Sequence, residues 1–420
     1  MIHTFDLMDG VTLRCFPDHR FKQSALSIQF LRPMCREEAA LNALLPTVLL
    51  RGCESCPDLR DITLRLDDLY GASVGALVRR VGDYQTTGLY AGFIEDKYAL
   101  QGDAILAPML AFLKELLFQP VLEQGVFRGA YVESEKRNLI STIESQKNDK
   151  RAYAGSQMMK RMCSADPFGI PRLGEKEQVA EVTPQSLYAH YQKVLRHSPI
   201  HLFYVGSCEP AKIAELLKDM LTGLPRQVQP LPPQTAFRDG GSGSYTEQME
   251  VSQGKLCMGF VTPITLRDEE FAAMQVMNTI FGAGMTSKLF MQVREKLSLC
   301  YDIGSGYHSS KGIVTVSAGI DCQQEETVRR QVLAQLEACQ NGDISQEELT
   351  AAKQALIAQL QSTHDSPGSI EGYYATSALS GLTWTPAVYM EKVAAVTATD
   401  VASAAGQLQL HTVYFLKGVQ

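Results

Sequence analysis

"SALSIQFLRPMCREEAALNALLPTVLLRG", residues 24 to 52, decides how the whole chain is read. A strand-like apolar run ends at Pro33, Glu37 and Glu38 open a helix, and Gly52 closes it. Acidic residues in a first turn and glycine after a last one complement the helix ends. The same grammar returns in "GKLCMGFVTPITLRDEEFAAMQVMNTIFGAG", residues 254 to 284. From Glu38 to Gly52 is 14 residues, and from Glu270 to Gly284 is again 14. A layout repeated with equal spacing is the mark of an internal duplication.

Both halves also finish alike. Residues 182–207, "VTPQSLYAHYQKVLRHSPIHLFYVGS", and 396–418, "VTATDVASAAGQLQLHTVYFLKG", each read as a Thr-capped helix followed by an alternating strand. Thr183 and Thr397 are suited to the N-cap. Between these ends lie strand-like stretches at 71–81, 84–94, 299–309 and 312–320, with amphipathic helices expected over 96–118, 124–147, 324–340 and 344–362. Strands and helices come in blocks, which predicts an α+β fold with mostly antiparallel sheets. The Pro-, Gly- and Ser-rich stretch 224–244 reads as an exposed connector. The expected organisation is an N-terminal half 1–223, a linker 224–244 and a C-terminal half 245–420.

Of the 420 residues, 45% are hydrophobic and 20% charged, and no apolar run approaches the ~18 residues of a membrane helix. A formal charge of -7 with scattered basic residues argues against nucleic acid as a partner. The opening "MIHTFDLMDGVTLRCFPDH" lacks the pattern of a secretory signal, so a cytoplasmic location is expected. The ten cysteines are dispersed as reduced thiols would be. Cys53-Glu54-Ser55-Cys56 is one CxxC without a second pair, a weak zinc or redox signal that reads as an ordinary loop.

The duplicated plan, together with "FGAGMTSKLFMQVREKLSLCYDI" (281–303) and "ALLPTVLLRGCESCPDLRDITLRLDDLYGA" (43–72), resembles the insulinase/pitrilysin family of inverted-motif zinc peptidases, which includes the mitochondrial processing peptidases. The resemblance spans nearly the whole chain. It implies the LuxS/MPP-type metallopeptidase fold, and it is nearest to a non-catalytic bacterial subfamily associated with 5-aminopentanol modification of elongation factor P. Active members carry His-x-x-Glu-His on the first helix, here 37–51, because the i, i+4 spacing puts two imidazoles on one face and a glutamate beside the metal-bound water. Aligning Arg51-Gly52 with the family's Lys-Gly puts Ala43, Pro46 and Thr47 at the three positions. Alanine has no ligand atom, proline no base, and a neutral threonine hydroxyl is a poor zinc ligand.

No substitute motif is visible. His197 and His201 are the one i, i+4 histidine pair, and Pro199 lies between them. The resemblance would place a third ligand among Glu133, Glu135 and Glu144; without histidines these read as solvated helix charges. No metal or other cofactor is expected, and the chain alone is expected to be inactive.

Arg294 and Tyr301, seven residues apart, match the arginine and tyrosine with which the family reaches toward a peptide held at the zinc. A guanidinium and a phenol are donors fit for carbonyls and a developing oxyanion. Retained donors beside a lost metal helix imply a non-catalytic, substrate-positioning subunit of a heterodimer with a zinc-bearing paralogue, or a homodimer when alone. A purely structural, assembly role is the alternative. An autonomous peptidase with another nucleophile is disfavoured, since no G-x-S-x-G pattern is present. Peptides in this family add to sheet edges, and the strand around Met258 to Thr262 is a candidate edge.

Overall fold

The computed structural model describes residues 2–418, and the outermost residues of the two halves lie outside it. The chain packs into two compact units. Among the described residues, one comprises 2–144, 170–233 and 364–376; the other comprises 145–169, 234–363 and 377–418. Each unit is therefore built mainly from one half of the sequence plus a segment drawn from the other.

The first unit is organised on a six-stranded sheet: β1 (His3–Met8), β2 (Val11–Pro17), β8 (Ile200–Gly206), β3 (Gln23–Pro33), β5 (Tyr84–Ile94) and β4 (Ser73–Val81), in that spatial order. Only β2 and β8 run parallel. Around it lie α1 (Arg36–Leu49), α2 (Leu59–Asp68), α3 (Leu106–Phe118), α4 (Gly129–Ser145), α6 (Lys176–Glu181), α7 (Pro184–His197) and α8 (Pro210–Leu221), with a two-residue ladder of β6 (Leu122–Glu123) and β7 (Val126–Phe127). Leu26, Ile28 and Phe30 on one face of β3 share a core with Leu44, Leu45 and Val48 of α1 and Leu116 and Leu117 of α3.

The second unit repeats the plan. Its order is β11 (Cys300–His308), β12 (Ile313–Ile320), β10 (Gly254–Val261), β13 (Gln409–Gly418) and β9 (Gly243–Met249), and again one pair, β13 with β9, is parallel. Read outward from the central strand, β10, β13 and β9 answer to β3, β8 and β2, and β12 and β11 to β5 and β4. The fold is thus α+β, with two homologous halves of mostly antiparallel sheet. The helices of the second unit are α5 (Lys150–Met162), α9 (Phe271–Phe281), α10 (Glu325–Gln340), α11 (Gln346–Ser362), α13 (Pro386–Ala395) and α14 (Ala398–Gly406). Among the described residues no helix is long and apolar enough to cross a membrane.

Three sequence expectations change. The helix expected from residue 96 starts at Leu106, because 96–102 form two single turns with Gln101 at φ 60°, and Asp96 Oδ1 instead accepts the backbone N–H of Ile105 and Leu106 (3.0 and 2.9 Å) at the true helix start. Strand β9 begins inside the stretch read as connector, where its polar sequence hides it. The strand around Met258 is central, paired on both sides, so it is no edge.

Pro46 stays inside α1 without breaking it. A proline at this position removes the N–H that would reach Asn42 O. Thr87 Oγ1 of β5 supplies the missing donor, 2.7 Å from that carbonyl. The Asn42 side chain is buried and bonded at both its nitrogen and its oxygen: Nδ2 donates to Gln85 Oε1 (2.9 Å) and Oδ1 meets His190 Nε2 of α7 (2.8 Å). Gln85 Nε2 in turn donates to Ala39 O and Arg172 O (3.1 and 2.7 Å). Burial pushes the His190 pKa down to about 4, and its ring is neutral at pH 7.

α12 (Pro367–Ser380) brings the exchanged segment 364–376 onto the first unit's sheet. Its Glu371 carboxylate is fully buried and receives both Nη atoms of Arg79 (2.9 and 2.7 Å), Ser27 Oγ (2.6 Å) and Gln29 Nε2 (2.9 Å). In the second unit, the exchanged segment is fixed by Asp166, whose buried carboxylate pairs with the equally buried Lys311 at 3.0 Å and accepts the N–H of Phe168 and Arg238.

Three outcomes follow from these contacts. Thr87→Val should destabilise the first unit by about 1–3 kcal/mol by orphaning the Asn42 carbonyl. Pro46→Ala, which restores an N–H, should recover most of that loss in the double variant, read by chemical denaturation. Glu371→Ala should lower stability by about 3–5 kcal/mol, since it strands Arg79, with hydrogen-exchange protection lost first in β3 and β4. His190 is held neutral, with its pKa lowered from 6.5, so its contribution is full above pH 6.5 and is lost as pH falls toward about 4. His190→Gln should therefore flatten the stability profile between those values, measured as unfolding midpoint against pH.

Candidate functional site

The helix that holds zinc in active relatives is α1, and its three positions do not fit a metal. Ala43 and Pro46 are buried. Thr47 Oγ1 is committed to Leu44 O at 2.8 Å. Pro46 borders a small apolar cavity with Phe30, Leu49, Leu117 and Tyr191. The three glutamates of α4 are likewise engaged: Glu135 with Arg51 (3.3 Å), Glu133 with Lys136 (2.8 Å) and Glu144 with Lys176 (2.8 Å). Glu38, at the helix start, is buried, which alone would raise its pKa, but hydrogen bonds from Lys193 and Arg32 outweigh burial and hold it below the ordinary value.

His197 and His201 fall on different elements, the end of α7 and strand β8, and His197 Nδ1 lies 2.9 Å from Gln227 O. Cys53 and Cys56 are buried free thiols across a tight turn, with Ser55 Oγ 3.6 Å from each sulfur. Burial raises the Cys53 pKa. Among the described residues no group of three or more His, Cys, Asp or Glu side chains is arranged to hold a metal ion.

Arg294 and Tyr301 do come together, in the second unit. Arg294 lies in a widened helix, Leu289–Lys296, with hydrogen bonds reaching back five residues, as from Leu297 N to Gln292 O (3.1 Å). Such helices are rare and occur often at functional positions. The loop before it approaches β11 closely: Ser305 N donates to Gly282 O (2.9 Å), and a Cβ on Gly282 would come within 2.7 Å of Ser305 Oγ. At the other end Ser298 takes a left-handed conformation (φ 51°), and the chain turns into β11 at Cys300.

The result is an open cleft of about 590 Å³ lined by Arg294, Glu295, Ser298, Tyr301, Asp321 and Gln324, among others. Arg294 Nε donates to Tyr301 O (2.9 Å), its Nη1 lies 3.3 Å from Glu295 Oε1, and its Cζ stands 4.6 Å from the Phe290 ring centroid. Tyr301 is 62% exposed, although it is a large aromatic residue. Asp302 is paired elsewhere, with Arg151 at 3.1 Å. Burial pushes the neighbouring Cys300 thiol up to about 11, so it is protonated near neutrality. The sequence reading missed Phe290, Asp321 and Gln324. Phe290 was within reach, being four residues before Arg294 on one helical face; the other two come from a turn that no spacing links to the signature.

Comparisons with known proteins agree with this anatomy. Residues 181–356 match the family model described as Peptidase M16 inactive domain. The probable inactive metalloprotease YmfF of Bacillus subtilis is 30% identical over 411 residues, covering 98% of this chain and 96% of that protein. A conserved protein from Enterococcus faecalis V583 superposes with a TM-score of 0.92 at 29% identity, over 100% of this chain and 99% of the other. The peptidase M16 inactive domain from Pseudomonas fluorescens shares the fold, with a TM-score of 0.82 at 18% identity over 100% and 98% of the two chains. Matched over 98% of its length by a relative named as a probable inactive metalloprotease, the chain belongs to the M16 (insulinase/pitrilysin) peptidase family, as a member whose α1 lacks the zinc-binding motif.

Proposed function

We propose that this protein is the substrate-positioning subunit of a heterodimeric M16 peptidase, contributing Arg294 and Tyr301 to a peptide whose cleavage occurs at a partner's zinc. One observation carries the reading: the two donors meet at one open cleft while α1 has lost every ligand. A phenol left in solvent beside a guanidinium fits a surface meant to receive carbonyl oxygens. Unpaired strand edges, β4 in the first unit and β11 in the second, offer the main-chain groups to which an extended peptide adds. The partner is a paralogue with an intact His-x-x-Glu-His, and the location is cytoplasmic.

A purely structural role has its own support, because Arg294 already has two intramolecular partners, Tyr301 O and Glu295. One experiment separates the two. With both purified chains and a peptide substrate, Arg294→Ala should lower the pair's kcat by roughly a hundredfold, the usual effect of removing a donor to an oxyanion, and Tyr301→Phe should lower it by a smaller factor. Unchanged cleavage with undiminished subunit affinity would leave only the assembly role.

A further inference from the structure

The six-stranded sheet has two chemically different faces. Opposite the apolar core face, β3 carries Ser27 and Gln29. Register extends this second face sideways: Gln29 lies opposite His201 of β8, and His201 opposite Thr12 of β2. Arg14, two residues along β2, is opposite Phe203. Strand alternation puts Gln29, His201, Thr12 and Arg14 on the same side.

Three atoms in this row are buried and lack a hydrogen-bond partner among the described residues: Arg14 Nη1, His201 Nδ1 and Gln29 Oε1. The Gln29 amide is oriented by its nitrogen, which donates to Ser27 Oγ (3.0 Å) and Glu371 Oε1 (2.9 Å), so its oxygen is the orphan. The Arg14 guanidinium lies 5.6 Å from the Phe203 ring centroid. Asp6 of β1 acts on it only through space, its Oδ1 accepting Thr12 Oγ1 at 3.1 Å. Burial lowers the pKa of Arg14, and burial together with the Arg14 charge lowers that of His201 to about 4. Arg14 is half-buried and faces Asp6 without a hydrogen bond to it, so its guanidinium is less completely paired than the charges of Arg79 and Lys311.

We propose that Arg14, His201 and Gln29 form a binding site for the carboxylate end of a peptide or an N-acylated amino acid. The carboxylate accepts from Arg14 Nη1 and from the Nδ1–H tautomer of His201, and the ligand's adjacent amide N–H donates to Gln29 Oε1. The charge matches: one guanidinium beside a neutral imidazole suits a single negative charge better than a doubly charged phosphate. The span matches too, since three neighbouring strands cover about 10 Å, the reach of a terminal residue and its amide. This inference is independent of the role assigned to Arg294 and Tyr301.

The test uses the full chain with N-acetylglycine and, separately, inorganic phosphate, at constant ionic strength in chloride. N-acetylglycine should raise the thermal unfolding midpoint saturably and give a measurable calorimetric isotherm. Arg14→Met should weaken that binding at least tenfold, while its midpoint without ligand equals or exceeds that of the parent, because the incompletely paired charge is gone. A structural role for Arg14 predicts the opposite sign. Arg14→Lys, which keeps the charge without the fork, should fall between and provides the reading if the methionine variant does not fold. An absent or non-saturable response, or an equal response in parent and Arg14→Met, overturns the site; binding of phosphate in place of N-acetylglycine overturns the ligand class.

Discussion

Every buried carbonyl must find a donor, and in this chain the Asn42 carbonyl is where that rule has the widest reach. Proline four residues later withdraws the helix's own N–H, so the donor must come from another element. Thr87 provides it, which locks α1 onto β5. The Asn42 side chain then extends the connection to Gln85 and His190, so one helical turn joins a strand, a second helix and the backbone at Arg172 through neutral hydrogen bonds. Neutral groups are the reason this works in a buried place. They need partners, but they do not carry the desolvation penalty of ions.

Two ion pairs with fully buried carboxylates lie where the chain exchanges segments between its units. Glu371 enters the first unit on the exchanged helix α12, and Asp166 enters the second in the turn that follows the exchanged helix α5. Each is a carboxylate stripped of water and surrounded by donors, Arg79 with Ser27 and Gln29 in one case, Lys311 with two backbone N–H groups in the other. Such pairs add little net stability over apolar packing, yet they tolerate no mismatch. At an exchanged segment that intolerance is useful: only the correct segment in the correct register satisfies the ions.

How much of this could be read from sequence depends on whether a feature is local. The paired glutamates, the terminal glycines and the Thr183 and Thr397 caps are decided within a helical turn, and both threonines accept the N–H three residues on, Ser186 and Asp400. The duplicated sheet was legible because its strands alternate apolar residues over 7 to 11 positions. Strand β9 was not, since its residues GSYTEQM carry no apolar alternation and lie at the sheet edge. The exchange of α5 and α12 has no local signature either. Helix α12 shows almost no amphipathic pattern, and its key contact, Glu371 with Arg79, spans most of the chain. At the candidate site, Arg294 and Tyr301 were legible from their spacing, whereas Asp321 and Gln324 depend on a strand pairing far along the sequence.

The two halves show what duplication permits once a metal is lost. Eight residues after the second glutamate, α1 has Pro46 and α9 has Asn278; nine residues after it, both have threonine, and both threonines turn back onto their own helix, Thr47 to Leu44 O and Thr279 to Gln275 O. Asn278 then reaches across to Ser305 of β11 through its side-chain oxygen at 2.8 Å, so the polar position in the second half ties its helix to the strand that begins with Cys300 and Tyr301. In the first half the same offset is apolar and points at no strand donor. One copy has become a packed helix, and the other keeps a polar strut beneath the cleft. Helices widened in this way are rare and occur often at functional positions, and this one spans Leu289–Lys296. From this helix Arg294 bonds the carbonyl of a residue seven positions on, while Tyr301 itself stays largely exposed.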